Sequence, residues 1–272
     1  MTALRIGSLE RLQRAIGDKH LPLEYVSRAV GSIVQSTIHS AGDYAVFVGK
    51  SVQKTFRPLV KSKLLFTQLE FVGNRSFIIC ILAGGMIGGI FGFQLGEIFV
   101  VFGTESMLGA STGFALAREL APVVGAFLVT ARAGSAMAAE IASMKVNEQI
   151  DAMRVMAVDP YNYLVAPRIL ASVLMMPLLS SLMVVVGVVA AFAVGVLFYS
   201  VDVADFFAKI EWIIDTDDLL MGVQKAMLFG FIFASIGCYE GFRAQGGAKG
   251  VGQATTRAVV NSYVAILILD FF

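Results

Sequence analysis

The sequence predicts an all-α, polytopic membrane protein with about five transmembrane helices, preceded by amphipathic helices at the membrane surface. Of its 272 residues, 57% are hydrophobic and 15% are charged, which is far more apolar than a soluble domain of this length. Apolar runs long enough to cross a bilayer recur along the chain, and charged residues cluster between them. The first residues lack an apolar run followed by a small-residue cleavage site, so we expect insertion to rely on internal spans.

Five apolar runs are the predicted spans. They cover approximately residues 77–102, 112–139, 169–198, 219–239 and 258–272. Pro160 and Pro167 prevent the second run from continuing as a helix into the third. The last run would cover only about 20 Å, against about 30 Å of hydrocarbon, so we expect a short final span.

The part before the first span is predicted to lie in the cytoplasm and at the membrane surface. We assign it to residues 1–72, with a basic amphipathic helix over 2–19 and an interfacial helix over 29–48, ahead of a transmembrane domain over 73–272. No acidic residue interrupts a basic stretch just before the first span, which contains Lys50, Lys54, Arg57, Lys61 and Lys63. Positive charge stays on the cytoplasmic side of a membrane protein, so the N-terminus is predicted to be cytoplasmic.

The connections between the later spans follow the same rule. Residues 202–218 carry six acidic residues and only Lys209 as a base, so we place this loop on the outer side. Residues 241–257 are rich in glycine and carry basic residues, so we expect a cytoplasmic loop there.

A glycine repeat marks the first span. Four glycines recur at every fourth position, which places them on one face of a helix: Gly84, Gly88, Gly92 and Gly96. Such a stripe lets another helix backbone approach closely. The partner could be another span of this chain or the same span in a second subunit.

Four ionisable residues are predicted to lie at membrane depth, and helix length places them at a similar level toward the outer side: Arg118, Glu119, Lys225 and Asp270. Charge in a membrane is costly and usually faces a partner or a wet cavity. The four could line a cavity that holds a lipid headgroup, with ion pairs that open and close, or they could form static pairs between helices. Pro122, one turn after Glu119, is expected to loosen the helix there.

A charged segment, residues 147–159, lies between the second and third spans. We expect Asn147 to cap a short helix and Glu148 to favour its positive end. Ile150, Met153 and Ala157 fall at helical spacing on one side, so the helix would be amphipathic. By spacing alone it could be an interfacial helix lying flat under the bilayer. Arg132, near the same end, is expected to reach the interface or to anchor this segment.

Several short motifs stand in an order and spacing that resemble the MlaE family of ABC-transporter permeases. They are Arg118-Glu119-Leu120 with Pro122, the run from Ala131 to Ala136, Glu140, Glu148-Gln149, and the run from Met156 to Pro160. A weaker match covers residues 253–260 and Leu269-Asp270-Phe271, so the resemblance extends over roughly residues 72–272.

The resemblance implies that residues 147–159, called the coupling segment below, dock on a cytoplasmic ATPase dimer. The coupling residues it indicates are Glu148, Gln149, Asp151, Met153, Arg154 and Asp159. It also implies a periplasmic partner, an oligomer of MCE-domain protein, and transport of phospholipid between the inner and outer membranes of a bacterium, which maintains outer-membrane lipid asymmetry. One chain of about five spans is small for a whole pathway, so we expect a homodimer in the inner membrane.

The residues themselves leave a different class of function open, a stand-alone secondary carrier that uses Glu119 and Asp270 as proton sites. Against it, the chain lacks the internal repeat common in such carriers. A membrane-embedded hydrolase is weaker still, because His20 and His39 lie far in sequence from the membrane carboxylates and no nucleophile motif accompanies them. The residues suggest no cofactor, metal or nucleic-acid partner, and ATP hydrolysis would belong to a partner subunit.

Overall fold

The computed structural model describes residues 23–55 and 62–271, and every regular element in these two stretches is helical. The helix predicted over residues 2–19 lies outside them. We number the helices α1 to α8: α1 Leu23–Thr55, α2 Ser62–Phe102, α3 Glu105–Val146, α4 Gln149–Val155, α5 Tyr161–Tyr199, α6 Val203–Ile213, α7 Thr216–Phe242 and α8 Gly247–Asp270. The predicted all-α, polytopic fold is confirmed.

Four of these helices, α2, α3, α5 and α7, are long and apolar enough to cross a membrane. The predicted fifth span is the C-terminal part of α8, which has 24 residues and a length of about 36 Å. The prediction of a long cytoplasmic loop over 241–257 was wrong, because α8 begins at Gly247 and includes Arg257. Small residues along the buried face of α8, such as Gly250 and Ala254, let its polar first half pack closely against the bundle.

The chain divides into two compact units, one ending at Gly49 and the other running from Lys50 to the C-terminus. The first contains most of α1, the helix in which the interfacial stretch 29–48 was predicted. The division of roles at residue 72 stays a prediction.

The glycine face of α2 lies against α5. Of the two predicted partners, another span of this chain or the same span of a second subunit, the glycines therefore contact the first. All four glycines are buried, and the atoms that a Cβ would meet belong to Met183, Gly187, Ala191, Val194 and Tyr199 of α5. At Gly88 the contact is between backbones, because a Cβ there would overlap the carbonyl group of Gly187. The stripe therefore joins two spans of one chain.

Helix α3 is interrupted by two π-helical turns, Leu116–Leu120 and Thr130–Gly134. The first stands immediately before the turn that contains Pro122, where the sequence predicts a loosened helix. A π turn adds one residue to the helical circuit and is common at functional sites. This turn carries Arg118 and Glu119.

Substituting Gly88 with alanine should destabilise the chain, whereas the same change at the neighbouring Gly89 should not. A Cβ at Gly88 would collide with the α5 backbone, but a Cβ at Gly89 meets nothing within 4 Å. We expect Gly88→Ala to cost about 1–3 kcal/mol, as overpacking does in other cores, and Gly89→Ala to stay within about 0.5 kcal/mol. Thermal unfolding in lipid nanodiscs would measure both, and equal midpoints for the two variants would contradict the close backbone contact.

Candidate functional site

Three of the four ionisable residues predicted at membrane depth meet around Lys225. Its Nζ lies 2.5 Å from Oε2 of Glu119 and 3.0 Å from Oδ1 of Asp270, and it donates a hydrogen bond to each. The three residues come from α7, α3 and α8, so one ammonium group joins three helices. We call Glu119, Lys225 and Asp270 the charge triad.

The fourth residue, Arg118, contacts the edge of the triad and a further acid. Its Nη1 lies 3.5 Å from Oδ1 of Asp218, and its Nε lies 3.9 Å from Oε1 of Glu119. Its guanidinium also lies over the ring of Phe114, 5.5 Å from the centroid. Arg118 and Glu119 are neighbours in sequence and therefore point to different main partners, Asp218 and Lys225.

Asp218 was not among the predicted site residues, because it was counted with the acidic outer loop. It lies in the first turn of α7, where its carboxylate also accepts a hydrogen bond from the backbone N–H of Asp215 and closes a capping box. Asp218 precedes Lys225 by two helical turns, so the two share one face of α7. That spacing was the signal in the sequence that could have placed Asp218 at the site.

The triad is open on one side. The Glu119 side chain is 47% exposed, whereas those of Lys225 and Asp270 are 21% and 23% exposed. At membrane depth an exposed carboxylate needs water, a second polar group or a cation beside it. The exposed side of Glu119 therefore lies beside its contact with the Lys225 ammonium.

Two further ion pairs lie at the opposite end of the bundle, and sequence reasoning missed both. Arg168 Nη2 lies 2.7 Å from Oε2 of Glu140 and joins α5 to α3. Arg257 Nε lies 3.1 Å from Oε2 of Glu240, whose other oxygen accepts a hydrogen bond from Asn261, so α8 is joined to α7. The sequence places each of these residues on a helix, but which of them pair depends on which helices are neighbours.

Arg132 bonds to α2, so the expectation that it anchors the coupling segment was wrong, whereas its reach toward the membrane interface stays a prediction. Its Nη1 donates to the carbonyl of Phe71 at 2.9 Å and to Oγ of Ser76 at 2.8 Å. The guanidinium also lies over the Phe71 ring, 5.3 Å from its centroid. The second π turn of α3, which carries Arg132, is therefore bonded to the first span.

The coupling segment contains the short helix α4, but its start differs from the prediction. Asn147 ends α3, and Glu148, in a left-handed conformation with φ 59°, precedes α4. The predicted Asn147 cap was therefore wrong, because the chain reverses at Glu148 before the new helix begins. Ile150 is fully buried and anchors α4, whereas Ala157 lies beyond its end and is exposed.

Two acidic residues of the coupling segment form ion pairs with other residues of this chain. Asp151 accepts hydrogen bonds from Lys145 at 2.8 Å and from Arg154 at 3.1 Å, and the Lys145 bond is the main reason that its pKa is lowered. Asp159 pairs with Lys54 of α1 at 2.7 Å and accepts the backbone N–H of Tyr161 at 3.0 Å. Burial acts to raise the pKa of Asp159, but these bonds outweigh it and the pKa is lowered.

The remaining surface of the coupling segment is largely apolar. Val155 is 89% exposed, and Met156 and Val158 are also exposed. Glu148, Gln149 and Arg154 are exposed beside them, and Met153 is half-buried. A projecting apolar surface with a polar rim is typical of a protein–protein contact.

Long apolar helices that hold ionised groups between them define a polytopic membrane protein with a polar interior, the class to which transport proteins belong. A family model described as "Permease MlaE" matches residues 65–272. The chain belongs to the MlaE permease family and is a permease of the ABC-transporter kind.

Three similar proteins carry names that describe permeases. The chain is 36% identical over 233 residues to the intermembrane phospholipid transport system permease protein MlaE of Haemophilus influenzae, covering 84% of this chain and 86% of that one. It is 35% identical over 246 residues to a "Probable ABC transporter permease protein" of Rickettsia felis, covering 90% and 95% of the two chains. A protein of Synechocystis with a similar name is 38% identical over 205 residues, with 75% and 78% covered.

Replacing Lys54 with methionine should weaken the attachment of the coupling segment in a pH-dependent way. The lowered pKa of Asp159 means that its contribution to stability is present above pH 3.9 or so, the ordinary value for aspartate, and is lost as the pH falls through the lowered value. We expect Lys54→Met to cost up to about 1 kcal/mol at neutral pH, because both side chains are partly exposed.

Thermal unfolding of wild type and Lys54→Met at neutral pH and at a pH below the lowered pKa of Asp159 would measure this cost. Lys50→Met, which removes an exposed lysine of the same helix, is the control and should show no such difference. A cost that persists unchanged in acid would rule out the ion pair as its source.

Proposed function

We propose that this chain forms, as a homodimer in the inner membrane of a bacterium, the lipid pathway of an ABC transporter that moves phospholipid between the inner and outer membranes. The observation that carries the proposal is the charge triad, in which Lys225 joins the carboxylates of Glu119 and Asp270 from two other helices and the Glu119 side chain is half-exposed. The printed name of the Haemophilus influenzae relative, an intermembrane phospholipid transport system permease, supports this choice of substrate.

The triad and Arg118 have the chemistry to bind a zwitterionic phospholipid headgroup. The phosphate would pair with the Lys225 ammonium or the Arg118 guanidinium, which are good partners for a phosphate. The headgroup amine would pair with Glu119, the most exposed carboxylate of the triad. Each new pair replaces an existing one, so a lipid can enter without leaving an unpaired charge in the membrane.

The coupling segment supports a separate, cytoplasmic ATPase dimer as the partner. Its exposed apolar residues, Val155, Met156 and Val158, offer a compact surface, and Glu148, Gln149 and Arg154 provide polar contacts around it. Ile150 and Asp151 fix α4 to the bundle. A displacement of α4 by the ATPase would therefore be transmitted to α3 and α5. We place this end in the cytoplasm, as the basic residues before the first span predict, and the triad toward the periplasm, where an MCE-domain oligomer would exchange lipid with the chain.

Neutralising the whole triad distinguishes a transport role from a structural one. A triple variant, Glu119→Gln, Lys225→Met and Asp270→Asn, leaves no unpaired charge among the three, so we expect the chain to fold and assemble. We expect lipid transfer between donor and acceptor vesicles to fall about tenfold or more, which corresponds to a barrier raised by about 1.4 kcal/mol. The single variants Glu119→Gln and Lys225→Met should also impair transfer.

The control for the triad variants is Glu97→Gln, which removes an exposed carboxylate from α2. It should leave transfer unchanged. If the triple variant assembled and transferred lipid at the wild-type rate, the triad would be a static connection between helices and the proposed pathway would be wrong.

Changing the exposed face of the coupling segment should abolish ATPase binding. Met156→Glu places a charge in the centre of the apolar surface, and Arg154→Glu reverses a charge at its rim and removes the bond to Asp151. We expect both variants to lose the ATPase on co-purification from native membranes and lipid transfer to fall to background. Gln245→Glu, an exposed change in the α7–α8 connection at the same end of the bundle, should retain the ATPase, and binding retained by Met156→Glu would refute the assignment.

A further inference from the structure

Helix α6 is held close to the membrane by the spans on either side of it. Tyr199 ends α5 and Val203 begins α6, and only two residues separate its end at Ile213 from Thr216, the start of α7. Links of this length reach at most about 14 Å. Because α5 crosses the membrane between α4 and α6, the helix lies on the side opposite the coupling segment.

The inner face of α6 is packed against the spans. Phe206 is fully buried in a cluster with Leu108 of α3 and Ala191 of α5. Its ring occupies the space beside Gly109, where a Cβ would lie 2.7 Å from it. The Phe206 and Phe192 rings meet edge to face, with centroids 5.2 Å apart. Helix α6 therefore packs against α3 and α5 near their ends and does not project into solvent.

Exposed aromatic and aliphatic residues lie on the two flanks of the buried Phe206 face, with Phe207 on one flank and Trp212 on the other, about 140° apart around the helix. Trp212 is 73% exposed, Phe207 is 52% exposed, and Val203 is exposed as well. Leu219 and Leu220, near the start of α7, are exposed too. Because α7 is long and apolar enough to cross a membrane, we expect these leucines to face the bilayer close to the end of α6.

The polar groups of α6 fit a membrane surface rather than its interior. Asp202 caps the helix by accepting the backbone N–H groups of Ala204 and Asp205. The ammonium of Lys209 lies over the Trp212 ring, 5.3 Å from its centroid. Asp205 and Glu211 are exposed and can remain hydrated among the headgroups. Tryptophan combines a large apolar ring with an N–H donor and is enriched at this depth of a bilayer.

We propose that α6 is an interfacial helix that inserts Trp212 into the headgroup–acyl boundary of the membrane on the side opposite the coupling segment. Its ligand is the bilayer surface, and the proposal requires only that the chain spans a membrane, not that it transports lipid. Anchored there, α6 supports the first turn of α7, where Asp218, five residues after Ile213, contacts Arg118. The outer end of the candidate site would thus be fixed relative to the lipid surface.

The sequence contains one tryptophan, so the native chain reports on α6 directly. We would reconstitute the full chain in nanodiscs of phosphatidylcholine brominated on the acyl chains near the headgroup and compare its emission with that in unbrominated lipid. If Trp212 lies in the boundary, brominated lipid should remove most of the emission, and iodide in the water should remove little of it. The emission should also be shifted to shorter wavelength than that of tryptophan in water.

A matched variant, Trp212→Phe with Gln245→Trp, moves the single tryptophan to the exposed α7–α8 connection. Its emission should respond to iodide more than the native chain does and to brominated lipid less. The proposal is wrong if native Trp212 responds to iodide as strongly as this variant, because α6 then faces water. It is also wrong if neither quencher reaches Trp212, because protein then covers the helix. Both results would leave lipid transport untouched.

Discussion

A charge at membrane depth must be paired or hydrated, and the way helices α3, α7 and α8 meet depends on this constraint. The Lys225 ammonium lies between carboxylates from two other helices, and Arg118 links the same group to Asp218. At the opposite end, Arg168 and Glu140 join α5 to α3, while Arg257 and Glu240 join α8 to α7. The helices are thus connected by ion pairs near both ends. The triad differs from these two pairs in that one ammonium group joins carboxylates from two other helices.

Between these ionic layers the packing relies on small residues. Apolar side chains gain little by leaving lipid for protein, so close backbone approach supplies much of the attraction between spans. The α2 glycines accept the α5 backbone, and Gly222 and Gly230 bring α7 equally close to α3 and α5. Such contacts are stiff, whereas ion pairs between side chains can exchange partners. A chain built in this way can change its polar contacts while the helix pairs that support them stay together.

The short helices on the two sides of the bundle are anchored in the same way but expose different kinds of surface. Helices α4 and α6 each have a fully buried anchor, Ile150 and Phe206, and each exposes apolar side chains outward. On α4 the exposed group is small, aliphatic and bordered by polar residues, which suits a protein partner. On α6 the exposed residues include the aromatic side chains of Phe207 and Trp212, and tryptophan suits the membrane boundary. The two helices lie at opposite ends of α5.

The sequence by itself determined the all-α polytopic fold, the spacing of the α2 glycine stripe and the position of the charged coupling segment. These are periodic or local signals, because helix geometry converts residue spacing into faces and depths. Only the tertiary structure decided that the glycines face α5, that Asp218 joins the site, that Arg132 bonds to α2, and that the chain turns at Glu148 instead of at a capping Asn147. Each of these depends on which helices are neighbours and how each is rotated about its axis. Neither quantity is encoded within one helix, because it results from the packing of all of them at once.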